Sequence, residues 1–315
     1  MLIVPTELQP MFTSFSLLYA QGYSNASLWH QDIATVLTPA QTGAVEKVTM
    51  GWMDKIPSMR KWVGPRVLHS VSTRAREMIA SPYELTMTIP KDKVSDDQWG
   101  LFSSSAADLG TQAAKLPDTL ISDVLIANPT CFDGVSFFND AHPVNIDDGA
   151  GGPLGTYDNS LGLALTPANF GAARAAMMAF KGADGKPLGV RPTHLVVPPS
   201  LQDMAFTITM AENIASFAPG TTTAGNVGTT TNIYRGSIKV LVIPELEVAP
   251  TTWYLLDCSR AVRPLVYWLR EAAQFVYLMS PDSPNVFYNR EYVFGGEARA
   301  VADVSLPFLA LKSTP

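Results

Sequence analysis

The spacing of apolar residues changes repeatedly along the chain, and each change marks an element. Phe12, Phe15 and Tyr19 recur at helical spacing within residues 12–23, which predicts a short helix. The Ser, Asn, Thr, Pro and Gln-rich run that follows, to about residue 44, carries only scattered apolar residues. It reads as an arm that lies on its own domain or on a partner's. Residues 45–50 alternate enough for a strand. Residues 51–64 place Trp52 and Trp62 in a short turn flanked by Gly51 and Gly64, where each indole can bury a large area as an anchor or, in the other reading, stack on carbohydrate. Residues 65–90 then read as a long β-hairpin. Val67, Val71 and Ile79 supply β-branched positions on the way out, and 83–90 alternates at period two on the return. Its middle, 72–82, is polar and charged. A hairpin with such a tip is marginal alone, so it is expected to reach outward and lie on another chain.

From residue 95 the period becomes helical. Ser95 followed by Asp96, Asp97 and Gln98 has a capping-box pattern with acids at the positive end of the helix dipole. Leu101, Phe102, Ala106, Leu109, Ala113 and Leu116 form one apolar stripe. Pro117 kinks or interrupts it, Leu120, Val124 and Leu125 resume it, and Pro129 stops it. A flexible loop is expected at 147–153, and Thr166-Pro167 starts a helix with an N-cap and an N1 proline. Residues 193–198 read as a buried strand, 201–216 as a helix and the low-complexity stretch 217–232 as a mobile loop. Extended segments follow at 237–243, 253–257, 262–278 (two runs around Arg270-Glu271) and 292–311. Strands drawn from distant parts of the sequence, with helices between them, give an α+β layout.

Composition narrows the classes. Of 315 residues 47% are hydrophobic and only 16% charged, against about 25% in an average domain. A core is easily filled, and much of the surface is expected to face something other than water. The net charge of −6 argues against a protein that coats nucleic acid broadly. Lys55, Arg60, Lys61, Arg66, Arg74 and Arg76 nevertheless cluster. They fit a solvated hairpin face, a phosphate site or a contact with an acidic neighbouring subunit. The two cysteines, Cys131 and Cys258, are in no Cys-x-x-Cys spacing and read as free thiols in a reducing compartment. The first residues carry no basic, apolar leader pattern, and no run of 18 apolar residues exists.

The densest chemistry lies in residues 130–143, which hold Cys131, Asp133, Gly134, Phe137, Phe138, Asp140, His142 and Pro143. Cys131 and His142 could form a thiol–imidazole pair oriented by Asp133 or Asp140, and with it a small-molecule enzyme. No nucleophile-elbow or cysteine-protease pattern surrounds them. Asp133, Asp140, His142, Asp147 and Asp148 are metal-ligand types, but their spacing does not match an EF-hand. Phosphate-binding glycine motifs are absent. His30, His69 and His194 each stand alone and read as hydrogen-bonded core or interface residues. No catalytic, cofactor-binding or metal site is therefore assigned. Residues 130–143 read as a structural joint: Pro129 ends the helix, Asp133-Gly134 turns the chain, the phenylalanines anchor it, and His142-Pro143 sets its exit.

The order of parts, a loose arm, a protruding hairpin, a long helix and a compact α+β region, resembles the Hong Kong 97 phage capsid fold. Individual motifs resemble the Mu-like phage major head subunit, the protein T family. They are Gly51-Trp52-Met53, then Ile56-Pro57-Ser58-Met59-Arg60-Lys61-Trp62-Val63-Gly64, Cys131-Phe132-Asp133-Gly134, Phe137-Phe138, Asp140-Ala141-His142-Pro143 and the stretch 193–199. The likeness runs from about residue 10 to the C-terminus. Ile56 stands where the family pattern has Phe, and the hairpin's leading loop is less charged than in the family. The resemblance implies an N-terminal arm (1–44), an extended loop with a β-hairpin (45–94), spine helix and peripheral domain (95–159), an axial domain (160–290), and a C-terminal strand (291–315) returning beside the spine. It implies a self-assembling head protein with no cofactor and no catalytic residue. Many copies, as pentamers and hexamers, would form an icosahedral shell around double-stranded DNA. Scaffold and portal proteins would act during assembly, which would take place in the host bacterial cytoplasm, and a decoration protein could join. Arm and hairpin would lock neighbours, with Trp52, Arg60, Trp62, Arg66, Arg74 and Arg76 at contacts between subunits. A tail or tube protein is the other self-assembling reading.

Overall fold

A computed structural model describes residues 5–43, 45–53, 73–95, 101–144, 155–182, 186–217, 227–280 and 282–315. In chain order the main elements are α1 (Pro5–Asn25), β1 (Ala34–Leu37), β2 (Lys47–Met53), β3 (Thr73–Ile79), β4 (Ser81–Pro90), α2 (Leu101–Ala114) and α3 (Leu116–Ala127). They continue as α4 (Pro167–Met178), β5 (His194–Val197), α5 (Gln202–Met210), β6 (Asn213–Phe217), β7 (Val227–Thr231), β8 (Lys239–Val242), β9 (Trp253–Leu256), β10 (Leu265–Leu278), β11 (Glu291–Val304) and β12 (Ala310–Ser313).

Two sheets organise these elements. A four-stranded sheet runs β1-β10-β11-β4, with β1 parallel to β10 and the other pairs antiparallel. A five-stranded sheet runs β8-β5-β9-β12, closed at one edge by the short strand Ser160–Leu161. The helices α4 and α5 share a core with the second sheet: Phe170, Ala173, Met177, Ala205 and Ile208 pack against Leu195, Val197, Trp253, Leu255 and Leu311. Thr166 caps α4 by accepting from Asn169 N at 3.2 Å, as the Thr-Pro start predicts.

The N-terminal helix lies on its own chain. On α1, Phe15 and Tyr19 are buried with Ala106 and Leu109 of α2 and with Tyr292 and Phe294 of β11. The rings of Phe15 and Phe294 meet edge-on at 5.0 Å. Two glycines allow the helices to approach to backbone contact. A Cβ on Gly22 would stand 1.9 Å from the Ala107 carbonyl oxygen, and one on Gly110 would stand 2.1 Å from that of Tyr19. With β1 hydrogen-bonded along β10 as well, the arm read over 1–44 is built into the four-stranded sheet and its helical layer.

Several expectations change. The hairpin read over 65–90 does not form: β3 pairs with β2, and β4 pairs with β11. The chain turns from one sheet to the other within the stretch read as a polar tip. Met78 and Ala80 supply the reason, since they are buried with Val48, Val266 and Trp268 and tie that stretch to the body. Residues 54–72, with Arg60, Trp62, Arg66 and His69, lie outside the described residues, as do Asp96, Asp97 and Gln98 of the capping pattern. Ser95 is the last described residue of a short helix, Lys91–Ser95. Pro117 stands in the first turn of α3, where a missing N–H costs nothing, so of the two expectations the helical run is interrupted there and not kinked. The run read as a helix to residue 216 ends at Met210, and Asn213–Phe217 pairs with Val227–Thr231. The threonines at 229–231, read as loop by composition, are β-branched and suit a strand. The runs around Arg270-Glu271 are one strand with register shifts between Leu269 and Gln274. The boundary at residue 290 also moves, because β10 belongs to the four-stranded sheet while β12, near the C-terminus, lies inside the five-stranded one.

Gly110→Ala is expected to destabilise the fold by about 1–3 kcal/mol, because a backbone carbonyl cannot yield to the new methyl. Gly155→Ala, which meets nothing within 4 Å, is the control. Thermal melts of both should show a lower midpoint for the first and none for the second; equal midpoints would contradict the close crossing.

Candidate functional site

The segment with the densest chemistry is held from both sheets. It begins at the end of α3, where Asn128 adopts a left-handed conformation with φ 48°. Asparagine tolerates this because its short amide can bond locally. Here the amide pairs like a strand with the loop: Phe138 N donates to Asn128 Oδ1 at 2.8 Å, and Asn128 Nδ2 donates to Phe138 O at 3.1 Å. The turn is closed by Cys131 N to Val135 O at 2.7 Å, Gly134 N to Cys131 O at 3.2 Å, and Val135 N to Asp133 Oδ1 at 3.2 Å. Gly134 has φ 87°, a conformation that favours glycine and explains its place after Asp133.

Phe137 and Phe138 meet edge-on at 4.8 Å. With Cys131 they join a core that includes Ile121 and Leu125 of α3, Val196, Tyr254 and Leu256 of the five-stranded sheet, and Leu265, Ala300 and Val304 of the four-stranded sheet. The joint thus touches both sheets and the helix between them.

Its buried polar groups are paired. His142 is fully buried; its Nδ1 lies 2.6 Å from Asp133 Oδ2 and its Nε2 3.1 Å from Phe137 O. The ring stacks on Tyr157 at 5.0 Å, and burial together with the nearby Asp133 raises the Tyr157 phenol well above its ordinary range. Asn159, also fully buried, donates through Nδ2 to Phe137 O at 2.9 Å and to Pro307 O at 3.0 Å, and accepts from Asn139 N at 2.8 Å. Its own N–H donates to Asn139 O, and its carbonyl accepts from Lys312 N at 2.8 Å. One side chain therefore stitches the loop to the segment leading into β12. Neither Asn128 nor Asn159 stands out in the sequence; their only signals are an Asn before Pro129 and an Asp-Asn-Ser triplet at 158–160.

This geometry does not make a nucleophile. Both nitrogens of His142 face other partners, and Cys131 Sγ donates to Ser305 O at 3.4 Å. Burial pushes the Cys131 thiol up to about 12, with Asp133 adding to the shift. Among the described residues no group of three or more His, Cys, Asp and Glu is placed to hold a metal. Asp147 and Asp148 lie outside them. Also among the described residues, no helix is long and apolar enough to cross a membrane.

Of the residues expected at subunit contacts, Trp52 and Arg74 stand opposite one another in the β2–β3 ladder. Arg76 is engaged within its own chain. It pairs through Nε with Asp303 Oδ2 at 2.5 Å and donates to Thr130 O, tying the base of the hairpin to the joint. Burial raises the Asp303 carboxyl, and Arg76 opposes that shift. His30 is, as expected, a hydrogen-bonded core histidine: its backbone N–H donates to Asp118 Oδ1 at 2.9 Å, and its Nδ1 lies 2.8 Å from the same oxygen.

Asn159→Ala would leave the Asn139 N–H unpartnered and remove both amide donations, a loss of roughly 3 kcal/mol readable by urea denaturation. Cys131→Ala should cost less. Native protein at pH 8 should resist iodoacetamide at both cysteines, because burial also pushes the half-buried Cys258 up to about 12; rapid alkylation would refute the protonated thiols. Tyr19 and Tyr254 are likewise pushed by burial from 10.0 to about 12. For all four groups the unfolded chain loses protons first as pH rises. The stability they contribute is full below their unfolded values and is lost as pH climbs through about 12. The urea midpoint should hold from about pH 7 to 9 and fall steeply from about pH 10 to 12.

Comparisons with known proteins agree with this architecture. The Mu-like prophage major head subunit gpT family matches residues 8–164, 160–246 and 245–315. The major capsid protein of Escherichia phage Mu is 23% identical over 304 residues, covering 96% of this chain and 72% of the relative. The Mu-like prophage FluMu major head subunit of Haemophilus influenzae is 20% identical over 302 residues, covering 95% and 70%. Among solved structures, a chain of the bacteriophage JBD30 procapsid superposes with TM-score 0.59 at 22% identity, covering 99% of this chain and 76% of that one. A virus-like particle from Pyrococcus furiosus gives TM-score 0.56 at 7% identity, covering 96% and 99%. The fold is that of Hong Kong 97-like phage capsid proteins, and with the family matched along nearly its whole length, the chain belongs to the Mu-like prophage major head subunits, the proteins that build the phage capsid shell.

Proposed function

We propose that many copies of this chain, grouped as pentamers and hexamers, close into an icosahedral shell that encloses double-stranded DNA without reading its sequence. The observation that carries this reading is the continuous family match over a body made of two sheets pinned at one joint. In it, α2 and α3 serve as the spine, the four-stranded sheet as the peripheral body and the five-stranded sheet with α4 and α5 as the axial body. The segment between β2 and β3 meets a neighbour, with Trp52, Arg60, Trp62, Arg66 and Arg74 at or near that contact. Contacts of modest strength, summed over many neighbours, allow errors to be corrected during assembly.

The role is structural, without catalysis. Cys131 and His142 support this, since one is a protonated thiol and the other has both nitrogens occupied. Scaffold and portal proteins would act while the shell forms in the host cytoplasm. The JBD30 capsid has been solved decorated with minor capsid protein trimers, which supports a decoration protein here too.

Electron microscopy of the purified protein across salt and concentration tests the reading. Closed shells are expected; open tubes would favour a tail protein, and a strict monomer at high concentration would overturn both. Replacing residues 56–70 with a short Gly-Ser linker should leave a folded monomer by circular dichroism yet abolish shells. Normal shells from that variant would refute the segment's role in the contact.

A further inference from the structure

The face of the four-stranded sheet turned away from α1 and α2 carries an unusual arrangement of charge. Along β11, Tyr292, Phe294 and Ala298 are buried, and by strand alternation Glu297 and Arg299 belong to the opposite face. In register, Glu297 stands opposite Glu84 of β4 and Gln274 of β10, while Arg299 stands opposite Glu271. The irregular stretch of β10 leaves a depression of about 360 Å³ there, walled by Tyr83, Ala272 and Ala298 as well as by these polar residues. Arg299 donates to Glu271 at 3.0 Å, and the Thr86 hydroxyl donates to Glu84 at 2.5 Å. Among the described residues no cation pairs with Glu84 or Glu297. Two like charges directly opposite on adjacent strands destabilise a sheet, so the depression is built to receive positive charge.

The turn joining β10 to β11 has the complementary character. Phe287 and Tyr288 are 72% and 78% exposed, with their rings perpendicular at 5.1 Å. The turn is fixed from beneath: Val286 is buried with Met279 and Tyr292, and Phe287 N donates to Ser283 O at 3.0 Å. Beside the aromatics, exposed Arg290 pairs with Asp92 at 2.7 Å, and Lys93 is exposed a short way on. From residue 289 to residue 297 is roughly 25 Å of extended chain, so the turn cannot bend back into its own depression.

We propose that the 285–290 turn of one copy seats in the depression around Glu84 and Glu297 of the next. Tyr288 packs against Ala272 in the irregular stretch of β10, and Arg290 meets the two carboxylates. Donor and acceptor patches differ, so every copy offers both and the contact propagates head to tail. The inference rests on the reading of this chain as a self-assembling head subunit.

The test compares the protein concentration needed for shells, by light scattering and electron microscopy, in wild type and in variants with wild-type melting curves. Phe287→Ala with Tyr288→Ala, Glu84→Lys alone and Arg290→Glu alone should each raise it about tenfold or more. Glu84→Lys combined with Arg290→Glu should recover part of the loss. Unchanged concentrations beside normal wild-type shells would overturn the contact and leave the head-subunit reading intact, whereas failure of wild type to form any shell would count against that reading. An oxidised Tyr288→Cys, Ala272→Cys protein reads the contact independently of shells. A ladder of covalent multimers, absent from either single variant, is expected, and its absence would overturn the proposal.

Discussion

Where a loop passes between two sheets, its buried backbone N–H and C=O groups must find partners, because water cannot reach them there. Residues 128–143 meet that demand with side chains more than with neighbouring strands. Asn128 acts as a surrogate strand for Phe138, Asp133 closes its own turn, and Asn159 joins the loop to residues 307 and 312. Once these bonds are made, Phe137 and Phe138 have a fixed place in the core shared by both sheets, and the helix α3 has a fixed exit. The buried His142–Asp133 pair belongs to the same constraint. Each group is tolerable in a dry site because the other is there.

Much of this was legible in the sequence, and the reasons for the misses are physical. Phe12, Phe15 and Tyr19 announce α1, and Thr166-Pro167 announces α4, because amphipathic spacing and capping are local rules. The turn that follows α3 was legible: Pro129, Asp133-Gly134 and the paired phenylalanines each have one dominant structural use. Asn128 and Asn159 were not legible, since their importance lies in bonds to residues as distant as Pro307. The pairing of β3 with β2 rather than β4 was hidden for a similar reason. Alternation identifies a strand but not its partner, and it was burial of Met78 against Val266 and Trp268 that decided where the chain switched sheets.

The same tension between local pattern and distant partner explains the arm. A polar, loosely patterned stretch looks unable to satisfy itself, yet β1 finds the free edge of β10, and α1 finds a groove whose depth is set by two glycines. The arm shields an edge and a face that would otherwise be open to indiscriminate pairing with other chains. That leaves the aromatic turn after β10, with Phe287 and Tyr288 exposed, as a described part that still faces solvent.

The place of β12 bears on how the protein is made. Ala310–Ser313 is not an edge strand; it lies between β9 and the strand Ser160–Leu161, with Leu311 fully buried. A growing chain therefore has an open slot in the middle of that sheet until residue 313 has emerged from the ribosome. Polypeptides interrupted earlier would keep that slot open and could not present a finished surface to their neighbours. The core that Leu311 shares with α4 and α5 therefore closes last in chain order.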